Sequence, residues 1–163
     1  MRRLRTEPLT PDRVGQAFPL VQAVLPDVHL GEWSAFATSL MTTRLPPRTG
    51  ILVVLSELDY IAGLSIYRVD NDLRHGCALS ADQFLALDLF DRGAVVHALA
   101  EALEAVARDN GCTALHTVLP ERTVKGPASV DGLMAMLYAL GHRVETIRLC
   151  KRLASTPPVA PAP

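Results

Sequence analysis

DQFLALDLFDRGAVVHALAEALEAVARDNGC, residues 82–112, is the stretch from which the rest of the chain can be placed. It begins as a strand, Phe84-Leu85-Ala86, passes through a short loop, and reads as a helix from about Gly93 to Asn110. Val95, Ala98, Leu99, Ala102, Leu103 and Val106 recur at helical spacing and make one apolar face. His97, Glu101, Glu104 and Arg108 make the opposite, wet face; Glu104 and Arg108 are an acid-then-base pair worth roughly 0.3 kcal/mol. Gly111 suits the left-handed residue just past a helix end. A strand-to-helix turn of this kind points unpaired backbone N–H groups into open space, where the helix dipole favours an anion such as a phosphate. The plainer reading of the same residues is a helix that only packs the core, and the order of the flanking elements has to decide.

At 163 residues the chain is long enough for one domain with a substantial core, and with 49% apolar residues its body is expected to be ordered. The formal charge is −1 with no long basic block, which argues against nucleic acid as the main partner. The basic start, MRRLR, has no apolar run after it and does not read as a secretory signal. No run approaches the length needed to span a bilayer, so a cytoplasmic protein without membrane contact is expected. Cys77, Cys112 and Cys150 are odd in number and widely spaced; they read as buried free thiols. No CxxC or His-Cys cluster points to a metal ion, and none is expected.

Residues 2–9 read as a first strand. Thr10-Pro11-Asp12 reads as a helix start, with Val14, Ala17, Phe18, Val21, Val24 and Leu25 as the buried stripe and Pro19 predicting a kink or break. A second helix is expected from about Gly31, with Trp33, Phe36, Ala37, Leu40 and Met41 on its face. Residues 50–56 are apolar on both faces and predict a central strand. Tyr60–Val69 and His75–Ala86 predict two antiparallel strands about the turn Asp70-Asn71-Asp72. After the long helix, Thr113–Leu119 predicts a strand and Pro120–Ser129 a loop carrying Glu121, Arg122 and Lys125. A short helix over 132–140, capped by Asp131 and ended by Gly141, is followed by a last strand, Arg143–Leu153. Residues 1–153 thus make one domain, and the Pro-rich end 154–163 is expected to be a disordered tail.

Strand, two helices, three antiparallel strands, long helix, strand, short helix, strand resembles the GNAT-type N-acetyltransferases over roughly residues 4–153. Residues 63–86, GLSIYRVDNDLRHGCALSADQFLA, are similar to the hairpin of bacterial members that read G-Y-R-x-x-x-N-L-x-x-G-x-x-L-Y-V-D-D-L-V. Residues 101–112, EALEAVARDNGC, with Leu115 and His116 beyond them, resemble the family's long helix and next strand. The implied fold is α/β of the α+β kind: a mixed, mostly antiparallel central sheet with helices on both faces. The implied reaction moves an acetyl group from acetyl-CoA to a primary amine of a small molecule or peptide, and a homodimer is compatible with the family.

The family's acetyl-CoA loop reads Arg/Gln-x-x-Gly-x-Gly/Ala, and those positions here are Asp91, Ala94 and Val96. Ala94 is a mild departure. Val96 puts a β-branched side chain where the phosphates are expected to come close, and Asp91 puts an acid in place of a cation. Arg92 and Gly93 restore part of the motif if the loop slips by one residue. Losing two charge-assisted hydrogen bonds costs roughly 3–6 kcal/mol, about two to four decades of affinity. Two outcomes therefore stand open: an acetyltransferase, or a catalytically inactive protein of the same shape that senses a ligand or binds a partner. The implied cofactor-binding residues are Phe84, Leu85 and Ala86, through free backbone groups, and the loop residues Arg92, Gly93, Ala94, Val95 and Val96.

Many members of the family carry a Tyr four residues before a Gly-Phe pair, which protonates the departing thiolate. Here Tyr138 stands three residues before Gly141, His142 replaces the Phe, and Leu137 holds the four-back position. One residue turns a helical side chain by about 100°, so Tyr138 reads either as the acid or as a packing or surface residue. A base must keep the attacking amine neutral, and Asp82 and His116 are the candidates, with a structural strand histidine as the alternative for the latter. His29, Glu32 and Trp33 fall where the family places acceptor-binding elements.

Overall fold

The computed structural model describes residues 4–41, 45–87, 91–119 and 132–153. Five strands form one sheet in chain order: β1 (Arg5–Pro8), β2 (Thr49–Leu55), β3 (Ile61–Asp72), β4 (Gly76–Ala86) and β5 (Ala114–Thr117). The first four pair antiparallel and β5 pairs parallel to β4. The mixed, mostly antiparallel sheet expected from the sequence is therefore present.

Alternation along the strands sends their apolar residues into two cores. Ile51, Val53 and Leu55 of β2 face α1 (Val14–Val24) and α2 (Leu30–Leu40). Leu52 and Val54 face α3 (Arg92–Asp109) and α4 (Leu133–Ala139). A strand buried on both sides needs neighbours on both sides, and β2 lies between β1 and β3 as predicted.

Several boundaries differ from the sequence reading. The first strand spans only Arg5–Pro8, and Pro11–Arg13 forms a 3-10 turn before α1, with no side-chain cap from Thr10. Pro19 does not break α1; Ala17 before it and Leu20, Val21 and Val24 after it are all buried on one stripe, which offsets the cost of an interior proline. In α3 the most buried residues are Val95, Val96, Leu99, Ala100, Leu103 and Ala107, while Ala98, Ala102 and Val106 flank them. Gly111 takes φ 70° past the end of α3, where the N–H of Cys112 reaches back to the carbonyl of Ala107, as the sequence predicts.

The largest departure is the predicted last strand. Among the described residues Arg143–Leu153 pairs with no strand, and Ile147 and Leu149 are 85% and 90% exposed. Five of its eleven residues are charged, and side-chain ion pairs rather than a backbone ladder tie it to the body. The cysteines also need correction: Cys77 and Cys112 are only half-buried, with sulfurs 2.8 Å apart, and Cys150 is exposed. Among the described residues no helix is long and apolar enough to cross a membrane. Glu121, Arg122, Lys125, Asp131 and the Pro-rich end lie outside the described residues.

Candidate functional site

The site begins where β4 leaves its neighbour. Ala78 to Ala81 of β4 pair with Ala114 to Thr117 of β5, and the Val118 N–H reaches the Ala81 carbonyl at 2.9 Å. Beyond that, the Phe84 N–H is 3.5 Å from the Val118 carbonyl, the outer limit of a hydrogen bond. The cause is one extra residue in β4. Ile66 of β3 pairs with Asp82 and Leu64 pairs with Leu85, so four residues of β4 oppose three of β3, with Gln83 at φ 57°. Such a bulge bends its strand and re-aims the residues that follow. From Ala81 to Phe84 the contacts of β4 with the segment after β5 lengthen from 2.9 to 3.5 Å. The Phe84 amide points to that side, so by strand alternation the backbone of Ala86 points there too. The Arg92 Nε–H covers the Ala86 carbonyl at 3.0 Å.

The start of α3 follows the end of β4. Asp91 is its N-cap, and its carboxylate accepts from the Ala94 N–H at 3.0 Å. A donor that would face an anion is thus already paired with the chain's own acid. Val96 behaves differently from the expectation: its side chain is 1% exposed and packs in the core between α3 and the sheet. The helix phase turns it toward the sheet together with Val95, Leu99 and Ala100. Gly93 has room around it, with Asp91 Oδ1 at 3.8 Å from where a β-carbon would sit.

On the other face of the sheet a pocket of about 410 Å³ lies between α1, α2, β3 and β4. Leu25, Trp33, Phe36, Leu64, Ile66 and Leu85 give it apolar walls, and Asp27, Glu32 and Gln83 are its polar members. Of the residues expected near an acceptor, Glu32 and Trp33 line the pocket. His29 instead starts α2, its N–H bonded to Glu32 Oε2 at 2.9 Å. Trp33 is buried with its Nε1–H on the Val14 carbonyl at 2.7 Å, so it is a wall held in place rather than a mobile contact. Gln83 was quoted in the sequence reading without a role. Its Oε1 is buried with no hydrogen-bond partner among the described residues, a costly state that a donor in the pocket would relieve. Nothing in a single sequence marks a glutamine for a positive φ.

Asp82 and His116 lie on the pocket's face of the sheet, each paired with the C-terminal arm. Ser80 pairs with His116, and Asp82 is two residues further along β4. Asp82 is held by Arg68 at 3.3 Å and Arg148 at 3.1 Å. His116 Nε2 lies 3.2 Å from Glu145 Oε2. Tyr138 is on α4, against the opposite face, with 41% of its surface exposed, while Leu137 is buried against α3. The three candidates are therefore not on one face.

No protein-family model matches the chain, and no curated protein matches it in sequence. Solved structures do match in shape. The chain is similar to an aminoglycoside N-acetyltransferase, AAC(6')-Iy, solved in complex with CoA, with TM-score 0.71, 11% identity, and coverage of 94% of this chain and 97% of that one. A ribosomal-protein-alanine N-acetyltransferase from Brucella melitensis biovar Abortus 2308 superposes with TM-score 0.68 and 14% identity over 93% of this chain and all of that one. A transcriptional regulator from Bacillus halodurans C-125 superposes with TM-score 0.70 and 10% identity over 93% of this chain and 100% of that one. The chain has the GNAT-type fold of the N-acetyltransferases among these proteins.

Proposed function

We propose that the chain is an acyltransferase that moves an acetyl group from acetyl-CoA, its acyl-donor substrate, to the primary amine of a small molecule or peptide. The observation that carries this reading is the Gln83 bulge, past which the contact of β4 with the segment after β5 lengthens to 3.5 Å. It sets the weakly bonded Phe84 amide and the Ala86 backbone on the outer edge of the same strand whose Gln83 and Leu85 line an apolar, acid-rimmed pocket. Phe84, Leu85 and Ala86 fit the amide-rich arm of the donor through their backbone. The start of α3 fits its pyrophosphate only after Asp91 releases the Ala94 amide, because two anions compete for one donor. Arg92 and Gly93 flank that point, and Val95 and Val96 contribute no side chain to it.

The thioester supplies the activated acyl group. The chain's part is to bring an amine to it and manage protons. Asp27 and Glu32 at the pocket attract the ammonium form of the acceptor, and its apolar walls favour loss of the ammonium proton as water is excluded. Asp82 and His116 are the proposed proton acceptors and Tyr138 the proposed donor to the leaving sulfur. Asp82 must then exchange Arg68 or Arg148 for the substrate's proton.

Calorimetry with acetyl-CoA, followed by a thiol-release assay against a panel of primary amines, tests this. Saturable heat and amine-dependent thiol are expected; no heat and no thermal shift at millimolar acetyl-CoA overturn it. A second reading, a binding protein without turnover, is favoured by the Asp91 carboxylate on the Ala94 amide. Asp91→Ala separates the two. It removes a helix cap worth about 1 kcal/mol of stability and should tighten CoA binding about tenfold, or 1.4 kcal/mol. Binding of CoA by the variant with none by the wild type would leave the second reading standing.

A further inference from the structure

Three ligand-type side chains from distant parts of the chain meet at the far end of β4 and β5. His75 is in the turn between β3 and β4, His116 is on β5, and Glu145 is on the C-terminal arm. His75 Nε2 is 3.1 Å from Glu145 Oε1, and His116 Nε2 is 3.2 Å from Glu145 Oε2. The two rings stand edge to face with centroids 5.4 Å apart, and one ligand atom from each of the three residues lies within 4.8 Å of the others. Ligands about 2.0–2.1 Å from a tetrahedral ion are about 3.3 Å from one another. Each imidazole nitrogen already stands at about that spacing from one oxygen of the carboxylate, His75 from Oε1 and His116 from Oε2.

His116 Nε2 is the most telling atom. It is buried and has no hydrogen-bond partner among the described residues; Glu145 Oε2 is within reach, but the pair does not align as a hydrogen bond. A buried imidazole nitrogen without a proton partner is costly unless something else takes its lone pair. The backbone around the site is braced: Asp72 Oδ1 accepts from the N–H groups of Arg74 and His75 at 2.8 Å each, and the Thr113 hydroxyl donates to the His75 carbonyl at 2.6 Å.

We propose that His75, His116 and Glu145 bind a divalent transition-metal ion of the zinc or nickel class, which fastens the C-terminal arm to the sheet. Two imidazoles and one carboxylate suit such an ion rather than magnesium or calcium, which prefer all-oxygen sites. Glu145 keeps 34% of its side chain exposed, which leaves the fourth position to water. Arg74 Nη1, 3.3 Å from Glu145 Oε1, competes for the carboxylate, but its side chain is 67% exposed and can turn into solvent. Coordination through Nε2 leaves the proton of each neutral imidazole on Nδ1. The consequence for the arm is direct: among the described residues it forms no ladder, and beyond the Arg143 bond to the Tyr138 carbonyl it is tied to the body by the ion pairs of Glu145 and Arg148. A metal-bound His116 has no free lone pair, so its service as a catalytic base belongs to the metal-free state.

The test uses the full chain, stripped with a chelator and dialysed, then titrated with Zn²⁺, Ni²⁺ and Co²⁺. One equivalent should bind, Co²⁺ should give the visible absorption of a low-coordinate nitrogen and oxygen site, and tryptic cleavage after Arg148 should slow. His75→Ala, His116→Ala and Glu145→Gln should each weaken binding by at least about 100-fold, the upper end of what loss of a supporting partner costs. The double variant Cys77→Ser, Cys112→Ser should bind as the wild type does. Absence of stoichiometric binding by the wild type overturns the proposal whatever the variants do. So does binding that survives Glu145→Gln and His116→Ala but is lost in the cysteine variant. Circular dichroism of each variant separates loss of a ligand from loss of the fold.

Discussion

At Gln83 the backbone takes φ 57°, where a β-carbon crowds the following carbonyl and a non-glycine residue loses about 1–2 kcal/mol. That angle makes the bulge, past which the β4 contact beside β5 lengthens at Phe84, and among the described residues the same residue leaves an unpaired oxygen beside the pocket. Gln83→Gly should be nearly neutral in urea unfolding, since relief of the angle offsets the added freedom of the unfolded chain. Gln83→Val should lose about 1–3 kcal/mol, because a β-branched residue tolerates a positive φ least. A Gln83→Val protein as stable as the wild type would mean the bulge does not need that angle. Individual residues were read unevenly from the sequence. Gly111 and Gly141 were placed correctly past their helix ends, because the left-handed conformation has few occupants other than glycine. The direction of Val96 could not be read from the sequence, because a motif position carries no information about which way the helix is turned; its side chain is in the core.

Among the elements, α3 and β3 are in unusually close contact. A β-carbon at Gly63 would lie 2.6 Å from Val95 Cγ1 and 3.3 Å from the Leu85 carbonyl. Valine has no rotamer with which to yield cheaply, so Gly63→Ala must push the first turn of α3 off the sheet. The expected cost is about 1–3 kcal/mol in denaturant unfolding, with acetyl-CoA affinity falling in parallel because the Asp91–Ala94 turn moves with Val95. An unaltered affinity in a destabilised protein would place the donor site elsewhere. Strong period-two and period-3.6 patterns made β2 and α3 legible. The C-terminal segment shows the limit: RVETIRLCKRL alternates well enough to predict a strand, yet among the described residues it makes no ladder. A strand exists only with a partner, and pairing is a property of two segments rather than one.

For the molecule as a whole, charge ties distant parts of the chain together. Asp59, in the turn between β2 and β3, bonds Arg13 at 2.8 Å and Arg5 at 2.6 Å, joining β1, the start of α1 and the sheet. The Arg13 guanidinium first, and the Arg5 charge after it, hold the Asp59 carboxyl below its usual range. A depressed carboxylate stabilises the fold above its unfolded value, about 3.9, and that contribution disappears as pH falls through the lower folded value. Asp59→Asn should therefore lower Tm slightly at neutral pH and flatten its fall below about pH 4, where the wild type loses the same contact. Equal slopes for the two proteins would remove Asp59 from the acid transition. Composition and periodicity were enough to establish an ordered chain of mixed helices and strands, the order of most elements, the central place of β2 and the helix after β4, because burial and backbone geometry act within a few residues; the α+β fold came from the resemblance of that order to a family. The lengthened contact of β4 at Phe84, the carboxylate seated on the Ala94 amide, the acid-rimmed pocket and the meeting of His75, His116 and Glu145 came from folding in three dimensions. Each depends on groups far apart along the chain, and no local pattern records which of them will touch.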